Sequence, residues 1–247
     1  MTDIRPLHVG KFIPPPFAGV EAHIDTLLSA LAPDILCTLV AADSPIKGMS
    51  ASIQNLPYKT LIAHSFGKFA SATLSPGVIN LALKNLRVGE SNLLHLHAPN
   101  PWGDILSILV DKNIPVVMTW HSDIIRQKNL LKIYKYLQRS ALKRVDKIIL
   151  PTPFHATSST QLLLEGANLS DKFQVIPMGI NFDEFDATAK SNKLLPKINE
   201  FAKDRIVVLT VGRHVGYKGY EYLLEAFSLL DNEAVLVMIG RVPFRIF

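Results

Sequence analysis

Cysteine is nearly absent from this chain, which limits how the fold can be crosslinked. Cys37 is the single cysteine among 247 residues, so no internal disulfide can form. This fits a reducing compartment, where thiols stay reduced. The N-terminal stretch MTDIRPLHVGKF also lacks the apolar segment of a secretion signal. We therefore expect a cytoplasmic protein.

Several other sequence features are missing. No stretch approaches the roughly 20 uninterrupted apolar residues of a membrane-spanning helix. Neither G-x-G-x-x-G nor G-x-x-x-x-G-K-[ST] occurs, so the dinucleotide fingerprint and the P-loop are both excluded. Charged residues make up only 19% of the chain and apolar residues 48%, which excludes a disordered polar chain and indicates a sizeable core.

The net charge of +5 comes from one segment. Residues 121–150 hold eight Lys or Arg and only two Asp or Glu, whereas the rest of the chain is close to neutral. Such a local patch does not favour a nucleic-acid partner, which needs a generally basic surface.

Short apolar runs alternate with amphipathic segments along the chain. The pattern predicts strands at 6–13, 34–42, 92–98, 115–121, 146–151 and 172–180, and helices at 19–32, 77–88, 101–113, 124–144 and 153–166. This alternation is typical of an α/β fold, in which helices cover both faces of a parallel sheet. We expect a Rossmann-like domain over 1–182, a polar linker over 183–204, and the start of a second Rossmann-like unit over 205–247.

Two motifs are predicted to meet at the carboxyl ends of the strands, where doubly wound sheets bind ligands. Gly19 opens a helix after the loop PPPFA, and helix N-termini favour anionic groups. His121 ends the strand MTW, and Asp123 follows two residues later. A histidine there can donate or accept a hydrogen bond near neutral pH, although each motif alone could be structural.

His95 and His97 form the sequence HLH in a predicted strand. Residues two apart in a strand share a face, so the pair could bind a metal. No third cluster of Cys, His or acidic residues stands nearby in the sequence, and we expect no metal site. His97, which is nearer the strand end, is predicted to line the ligand crevice with Asp123.

Arg213 and Lys218 lie five residues apart in the glycine-rich turn GRHVGYKG. Arg offers a planar fork to phosphate oxygens, and Lys offers a mobile point charge. At a helix entrance the two suit a bound diphosphate; the alternative is two solvated cations at a turn.

A third group of cations recurs along the helix predicted at 124–144. Intervals of three and four residues place them on one face: Lys128, Lys132, Lys135, Arg139 and Lys143. Such a face can rest on anionic lipid headgroups or can simply be solvated. The apolar residues Leu130, Tyr134, Leu137 and Ala141 are predicted to face the sheet.

These segments, in this order, resemble the retaining glycosyltransferases of the two-Rossmann-domain GT-B kind, specifically family 4. GKFIPPPFAGVEAHIDTLLSAL is similar to the family's opening loop and helix, and TWHSD to its H-x-D strand end. VIPMGINFDEF is similar to the segment that leads into the second domain, and VGRHVGYKGYEYLLEAF to the G-R-x-x-x-x-K-G donor motif. The resemblance spans nearly the whole chain.

The resemblance implies transfer of a hexose from a GDP- or UDP-sugar, with retention and without a cofactor or metal. Gly19 would lie beside the donor phosphates and His121 near the transferring sugar, while Arg213 and Lys218 would neutralise the departing diphosphate. The implied acceptor is a glycan or a lipid-linked sugar in lipopolysaccharide or surface polysaccharide biosynthesis, at the inner face of the membrane.

The chain departs from the family pattern at two places. Ala18 stands where the first glycine of a pair is usual, and IGRVPFRIF replaces IGxGP, with no E-x7-E segment after it. We therefore expect a truncated donor domain with little or no transferase activity. One alternative is a non-catalytic remnant or acceptor-binding module; another is a GT-B nucleotide-sugar epimerase, which the G-R-x-x-x-x-K-G motif disfavours.

Overall fold

The computed structural model describes most of the chain: residues 3–14, 19–43, 56–69, 72–125, 128–163, 166–182, 194–230 and 233–240. Ala18, the closing RVPFRIF and most of the predicted linker lie outside the described residues. The chain divides into two compact units, Met1–Ile180 and Asn181–Phe247.

The first unit is built on a seven-stranded sheet in which every pairing is parallel. Its strands are β1 (Pro6–Phe12), β2 (Thr38–Ala42), β3 (Lys59–Ala63), β6 (Leu93–Ala98), β7 (Val116–Trp120), β8 (Lys147–Leu150) and β9 (Phe173–Val175). They lie in the order β3–β2–β1–β6–β7–β8–β9. A separate antiparallel hairpin consists of β4 (Lys68–Phe69) and β5 (Ala72–Thr73). The predicted α/β class is confirmed.

The helices of this unit are α1 (Gly19–Leu31), α2 (Gly77–Arg87), α3 (Pro101–Leu109), α4 (Lys128–Arg144), α5 (Phe154–Ser158) and α6 (Thr160–Leu163). The single helix predicted at 153–166 is wrong, because Ser159 has an extended backbone and separates α5 from α6. The Ser159 hydroxyl accepts a hydrogen bond from the Leu162 amide and so caps α6.

Alternation along the strands divides the core between the two faces of the sheet. Leu7 and Val9 of β1 pack in the larger cluster on one face, and Leu39 of β2 packs in a smaller cluster on the other. Ile24 and Leu28 of α1 cover that second face. His8 alternates with Leu7 and Val9, so its side chain lies on the face that α1 covers.

The order in which the chain adds strands reverses at β1, which is paired with β2 on one side and with β6 on the other. This is the point at which doubly wound sheets open a ligand crevice. Asn100 fixes the start of α3 at this crevice: its side-chain carbonyl accepts from the Trp102 amide, and its amide donates to the Gly10 carbonyl of β1 over 3.2 Å.

The second unit contains α7 (Leu194–Ala202), β10 (Ile206–Val211), α8 (Tyr220–Ser228) and β11 (Ala234–Ile239). Strands β10 and β11 pair in parallel, and α8 connects them. Helix α7 occupies part of the stretch predicted as a linker. In neither unit does a described helix have the length and apolar character needed to cross a bilayer.

Candidate functional site

The candidate site of the first unit lies at the carboxyl ends of β1, β6 and β7. His121 directly follows β7, and its backbone amide donates to the Ala98 carbonyl at the end of β6. Its side chain is half-buried at this edge of the sheet. His97 lies one strand away and is buried, so the fold brings these two predicted residues together.

Three histidines form a hydrogen-bonded chain from the core to this edge. Nδ1 of His8 lies 3.2 Å from Nε2 of His97, and Nδ1 of His97 lies 3.1 Å from Nε2 of His121. The His97 and His121 ring planes differ by 24°, with centroids 5.4 Å apart. Since the nitrogens are much closer than the centroids, they lie on facing edges of nearly parallel rings. We call His8, His97 and His121 the imidazole chain.

Two further histidines flank the imidazole chain. His95 pairs in register with His8, and its Nε2 lies 2.8 Å from the Thr119 hydroxyl. His23 projects from α1, with its ring centroid 5.1 Å from that of His121. Neither His8 nor His23 was predicted from the sequence as a site residue. The sequence signal for His8 was its place in the first predicted strand, because a histidine there can pair with a histidine of the HLH strand.

Burial keeps these histidines neutral. Desolvation lowers the pKa of His8 and His97 well below the ordinary value, and neighbouring histidines lower it further. Burial, followed by the charge of nearby His23, lowers the pKa of His95 to about 3 and that of His121 to about 4. At pH 7 every ring therefore offers one donor and one acceptor nitrogen.

The sequence argument against a metal site was incomplete. It rested on the lack of a third ligand near His95 and His97, and folding supplies one. His8 joins that pair, and His23 joins His97 and His121, with ligand nitrogens within 4.8 Å of one another in each group. In the imidazole chain, however, the nitrogens that would hold an ion face one another in hydrogen bonds.

Asp123 is engaged in a local hydrogen-bond network. Its carboxylate accepts from the Trp120 indole, the hydroxyls of Ser159 and Thr160, and the Gln161 amide. These bonds attach the start of α6 to the end of β7. In this structure Asp123 therefore positions the segment that carries His121.

Gly19 begins α1 at the same edge of the sheet. A Cβ atom at this position would meet no heavy atom within 4 Å among the described residues. The described residues therefore leave the Cβ position of Gly19 unoccupied.

An apolar cavity of about 500 Å³ lies beside the crevice. It is bordered by α3, α4 and the β4–β5 hairpin, and its lining includes Trp102, Ile105, Leu130, Tyr134 and Leu137. Lys11 of β1 and Asn100 border it on the crevice side. Leu130, Tyr134 and Leu137 were predicted to face the sheet; they line this cavity instead, because α4 packs on α3.

Asp104 of α3 is buried behind the cavity wall. Its carboxylate accepts a hydrogen bond from the Tyr134 hydroxyl of α4. Burial raises the pKa of Asp104 to about 7, although the Tyr134 hydrogen bond opposes this rise. This pair joins two helices by a non-local contact, so no local pattern in the sequence predicts it.

The basic face of α4 is on the surface. Lys132, Lys135, Arg139 and Lys143 are all exposed, as their spacing predicts; the Lys128 side chain lies outside the described residues. Ile133 is 74% exposed and Tyr136 65% exposed on the same helix. The helix therefore presents both cations and large apolar side chains to solvent.

The second unit carries Arg213 and Lys218 in the loop after β10. Both side chains are exposed, and they lie on either side of Tyr217. The Arg213 guanidinium donates to the Tyr217 hydroxyl over 3.2 Å, and the Lys218 ammonium lies 5.5 Å from the Tyr217 ring centroid. Gly219 has a φ of 67°, a left-handed conformation that begins α8 directly after Lys218.

Known proteins share this fold and parts of this sequence. HepE from Anabaena, solved in complex with UDP, superposes with a TM-score of 0.69 at 12% identity, covering 98% of this chain and 62% of HepE. This likeness shows that the chain has a GT-B-type fold that contains a Rossmann-like domain.

Two curated relatives are sugar transferases. The chain is 32% identical to D-rhamnosyltransferase WbpZ of Pseudomonas aeruginosa over 64% of this chain and 40% of that protein. It is 29% identical to O-antigen chain mannosyltransferase C of Escherichia coli over 98% of this chain and 62% of that protein. The chain thus spans less than two thirds of the length of either relative. The profile of Glycosyltransferase Family 4 matches residues 17–184, and the chain belongs to that family.

Proposed function

We propose that this chain acts in the transfer of a hexose from a GDP- or UDP-sugar to a glycan or lipid-linked acceptor, with retention of anomeric configuration. One observation carries the proposal: both sets of motif residues follow the carboxyl end of a parallel strand. His121 follows β7 in the first unit, and Arg213 and Lys218 follow β10 in the second. Nucleotide and sugar ligands bind at such strand ends in doubly wound folds.

In this proposal the second unit binds the donor diphosphate. The Arg213 fork and the Lys218 ammonium would hold the phosphate oxygens and stabilise the charge that develops as the diphosphate leaves. Gly19 would lie near the phosphates and His121 near the transferring sugar. The HepE crystals that contain UDP-glucose support a nucleotide-sugar donor. No cofactor or metal takes part.

The proposed process is surface polysaccharide assembly on the cytoplasmic side of the membrane. Support comes from the activities of the two relatives, which are a rhamnosyltransferase and an O-antigen mannosyltransferase. His97 was predicted to line the acceptor crevice; because it is buried with both ring nitrogens bonded, it would act there through His121. Asp123 would position the segment that carries His121 through the β7–α6 connection.

The apolar cavity supports a lipid-linked acceptor. Its volume of about 500 Å³ lies within the range of roughly 300–1,000 Å³ that is usual for ligand pockets. Its lining is mainly aliphatic and aromatic, and exposed Leu130 and Ile133 extend it toward the surface of α4. The lysines of that helix would attract the phosphates of a lipid diphosphate or an anionic bilayer.

Two experiments test the proposal. The chain is titrated calorimetrically with GDP- and UDP-hexoses, and the products formed on a polyprenyl-diphosphate sugar are then analysed by mass spectrometry. Saturable binding and a product one hexose heavier support transfer, and proton NMR of the new linkage reports retention. Absence of saturable heat with every donor would favour a non-catalytic acceptor-binding module. An isomerised nucleotide sugar formed without acceptor would favour an epimerase.

A cavity-filling variant tests the acceptor. Ile105→Phe should raise the KM for the polyprenyl-linked acceptor about tenfold, because the added ring occupies the cavity. It should leave the KM for a short soluble sugar acceptor unchanged. Ile108→Phe is the matched control, since Ile108 is 45% exposed on the same helix. Equal changes in both KM values would contradict a lipid subsite here.

A further inference from the structure

The imidazole chain ends inside the protein at an atom without a partner. Nε2 of His8 is buried and has no hydrogen-bond partner among the described residues. Its other nitrogen is bonded to His97, which is bonded in turn to His121. Each inner ring thus uses its remaining nitrogen to fix the next ring outward.

A count of protons shows that this arrangement has two states. Each neutral imidazole carries one N–H, so three rings hold three protons. Each of the two hydrogen bonds uses one of them, and the third must sit at one end of the chain. It sits either on Nε2 of His8 in the core or on Nδ1 of His121 at the crevice.

The two ends differ in what surrounds them. An N–H at His8 Nε2 would be a buried donor without an acceptor, which is rarer in proteins than an unfilled lone pair. At His121 the side chain is partly exposed, so solvent or a ligand can satisfy either an N–H or a lone pair. The state that leaves only an unfilled lone pair at His8 Nε2 is therefore favoured.

We propose that His8 and His97 are positioning residues that hold His121 as its Nδ1–H tautomer. In this state His8 Nδ1 donates to His97 Nε2, and His97 Nδ1 donates to His121 Nε2. His121 then presents a neutral N–H donor at the crevice, suited to a hydroxyl or phosphate oxygen of a bound ligand. The tautomer follows from the fold alone; only the identity of the ligand rests on the proposed function.

This assignment also gives His121 a definite chemical role. Its Nε2 lone pair is already occupied by the His97 proton, so the ring stabilises a ligand oxygen and does not remove a proton from it. The short nitrogen–nitrogen distances of 3.2 and 3.1 Å are those of hydrogen bonds between successive rings.

Long-range proton–nitrogen NMR of the full chain, labelled with ¹⁵N-histidine, tests the proposal at pH 7.5 without any sugar ligand. The eight histidines are assigned by single substitutions. We expect the Nδ1–H pattern for His8, His97 and His121. An Nε2–H pattern at His121 in the wild-type protein would overturn the proposal, whatever the sugar-transfer assays show.

Variants separate the chain from its neighbours. His97→Leu should shift His121 toward a mixture of tautomers, because its Nε2 loses the donor that fixes it, whereas His95→Leu, at a buried histidine outside the chain, should not. An unchanged His121 tautomer in His97→Leu would overturn the proposal; if that variant does not fold, the wild-type spectrum decides. Stoichiometric binding of added Zn²⁺ at His97 and His121 would assign a metal site instead. Absence of Zn²⁺ binding supports the hydrogen-bonded imidazole chain.

Discussion

The hydroxyl of Tyr134 donates a hydrogen bond to the buried carboxylate of Asp104, and this bond joins α4 to α3 beside the apolar cavity. Burial raises the pKa of Asp104 from 3.8 to about 7. The folded chain therefore binds this proton more tightly than the unfolded chain does. The free energy of unfolding should fall as the pH rises through that interval.

Asp104→Asn should remove this pH dependence while keeping an acceptor for Tyr134. A shift of about three pKa units corresponds to roughly 4 kcal/mol of unfolding free energy. When the pH rises from 4 to 8, the free energy of unfolding of the wild type should therefore fall by up to that much relative to that of the variant. Urea unfolding at both pH values measures the difference. Tyr134→Phe, which leaves the buried carboxyl in place, is the control. If the unfolding free energies of Asp104→Asn and wild type differ by the same amount at both pH values, the raised pKa of Asp104 is contradicted.

The buried histidines should make the protein sensitive to acid. Burial lowers the pKa of His95 from 6.5 to about 3, so the unfolded chain takes up this proton first. The stabilisation is complete above pH 6.5 and is lost as the pH falls toward 3. At pH 4.5 the loss from His95 is about 3 kcal/mol.

His95→Leu should therefore lose less stability than wild type between pH 7.5 and pH 4.5. Denaturant titrations at the two pH values give the comparison. His64→Leu provides the reference, because the His64 side chain is 71% exposed. The prediction does not survive if both variants show the wild-type pH slope.

Diphosphate binding should depend on the loop after β10. Arg213→Gln and Lys218→Gln should each weaken binding of GDP or UDP by about tenfold to a hundredfold, the effect of one charge-assisted hydrogen bond. Lys197→Gln, an exposed substitution on α7 of the same unit, should leave affinity unchanged. Calorimetry measures all three, and equal affinity in all of them would show that this loop does not bind the diphosphate.

Charge reversal on α4 should abolish contact with anionic membranes. Combined Glu substitutions at Lys128, Lys132 and Lys135 should reduce co-sedimentation with phosphatidylserine vesicles at least tenfold, since each nearby cation contributes about 1 kcal/mol. Reversal of Lys84 and Arg87 on α2 is the control. If the triple variant sediments like wild type, the basic face of α4 is only solvated.

Local patterns predicted most of the first unit. The apolar run at 6–13 forms β1, and the residues with helical spacing at 19–32 form α1. Both were predictable because burial of a continuous stripe of apolar side chains determines the type of each element. The split at Ser159 was missed because it depends on the distant Asp123 carboxylate, which reaches α6 from the end of β7.

Non-local pairing also explains what was missed at the site. His97 and His121 were identified from their positions at strand ends. His8 could not be linked to them, because only the β1–β6 register brings residues so far apart in sequence together. The lysines at 132 and 135 followed from helical spacing, yet the cavity beneath them depends on how α4 packs against α3.

The placement of Trp102 gives the chain a built-in optical reporter. The sequence has two tryptophans; Trp120 is completely buried in the core, while Trp102 lines the apolar cavity and donates its indole N–H to the Thr73 carbonyl. A molecule that enters the cavity would change the emission of Trp102 and leave that of Trp120 constant. Fluorescence of the unlabelled protein can therefore follow occupancy of this space directly, before any product forms.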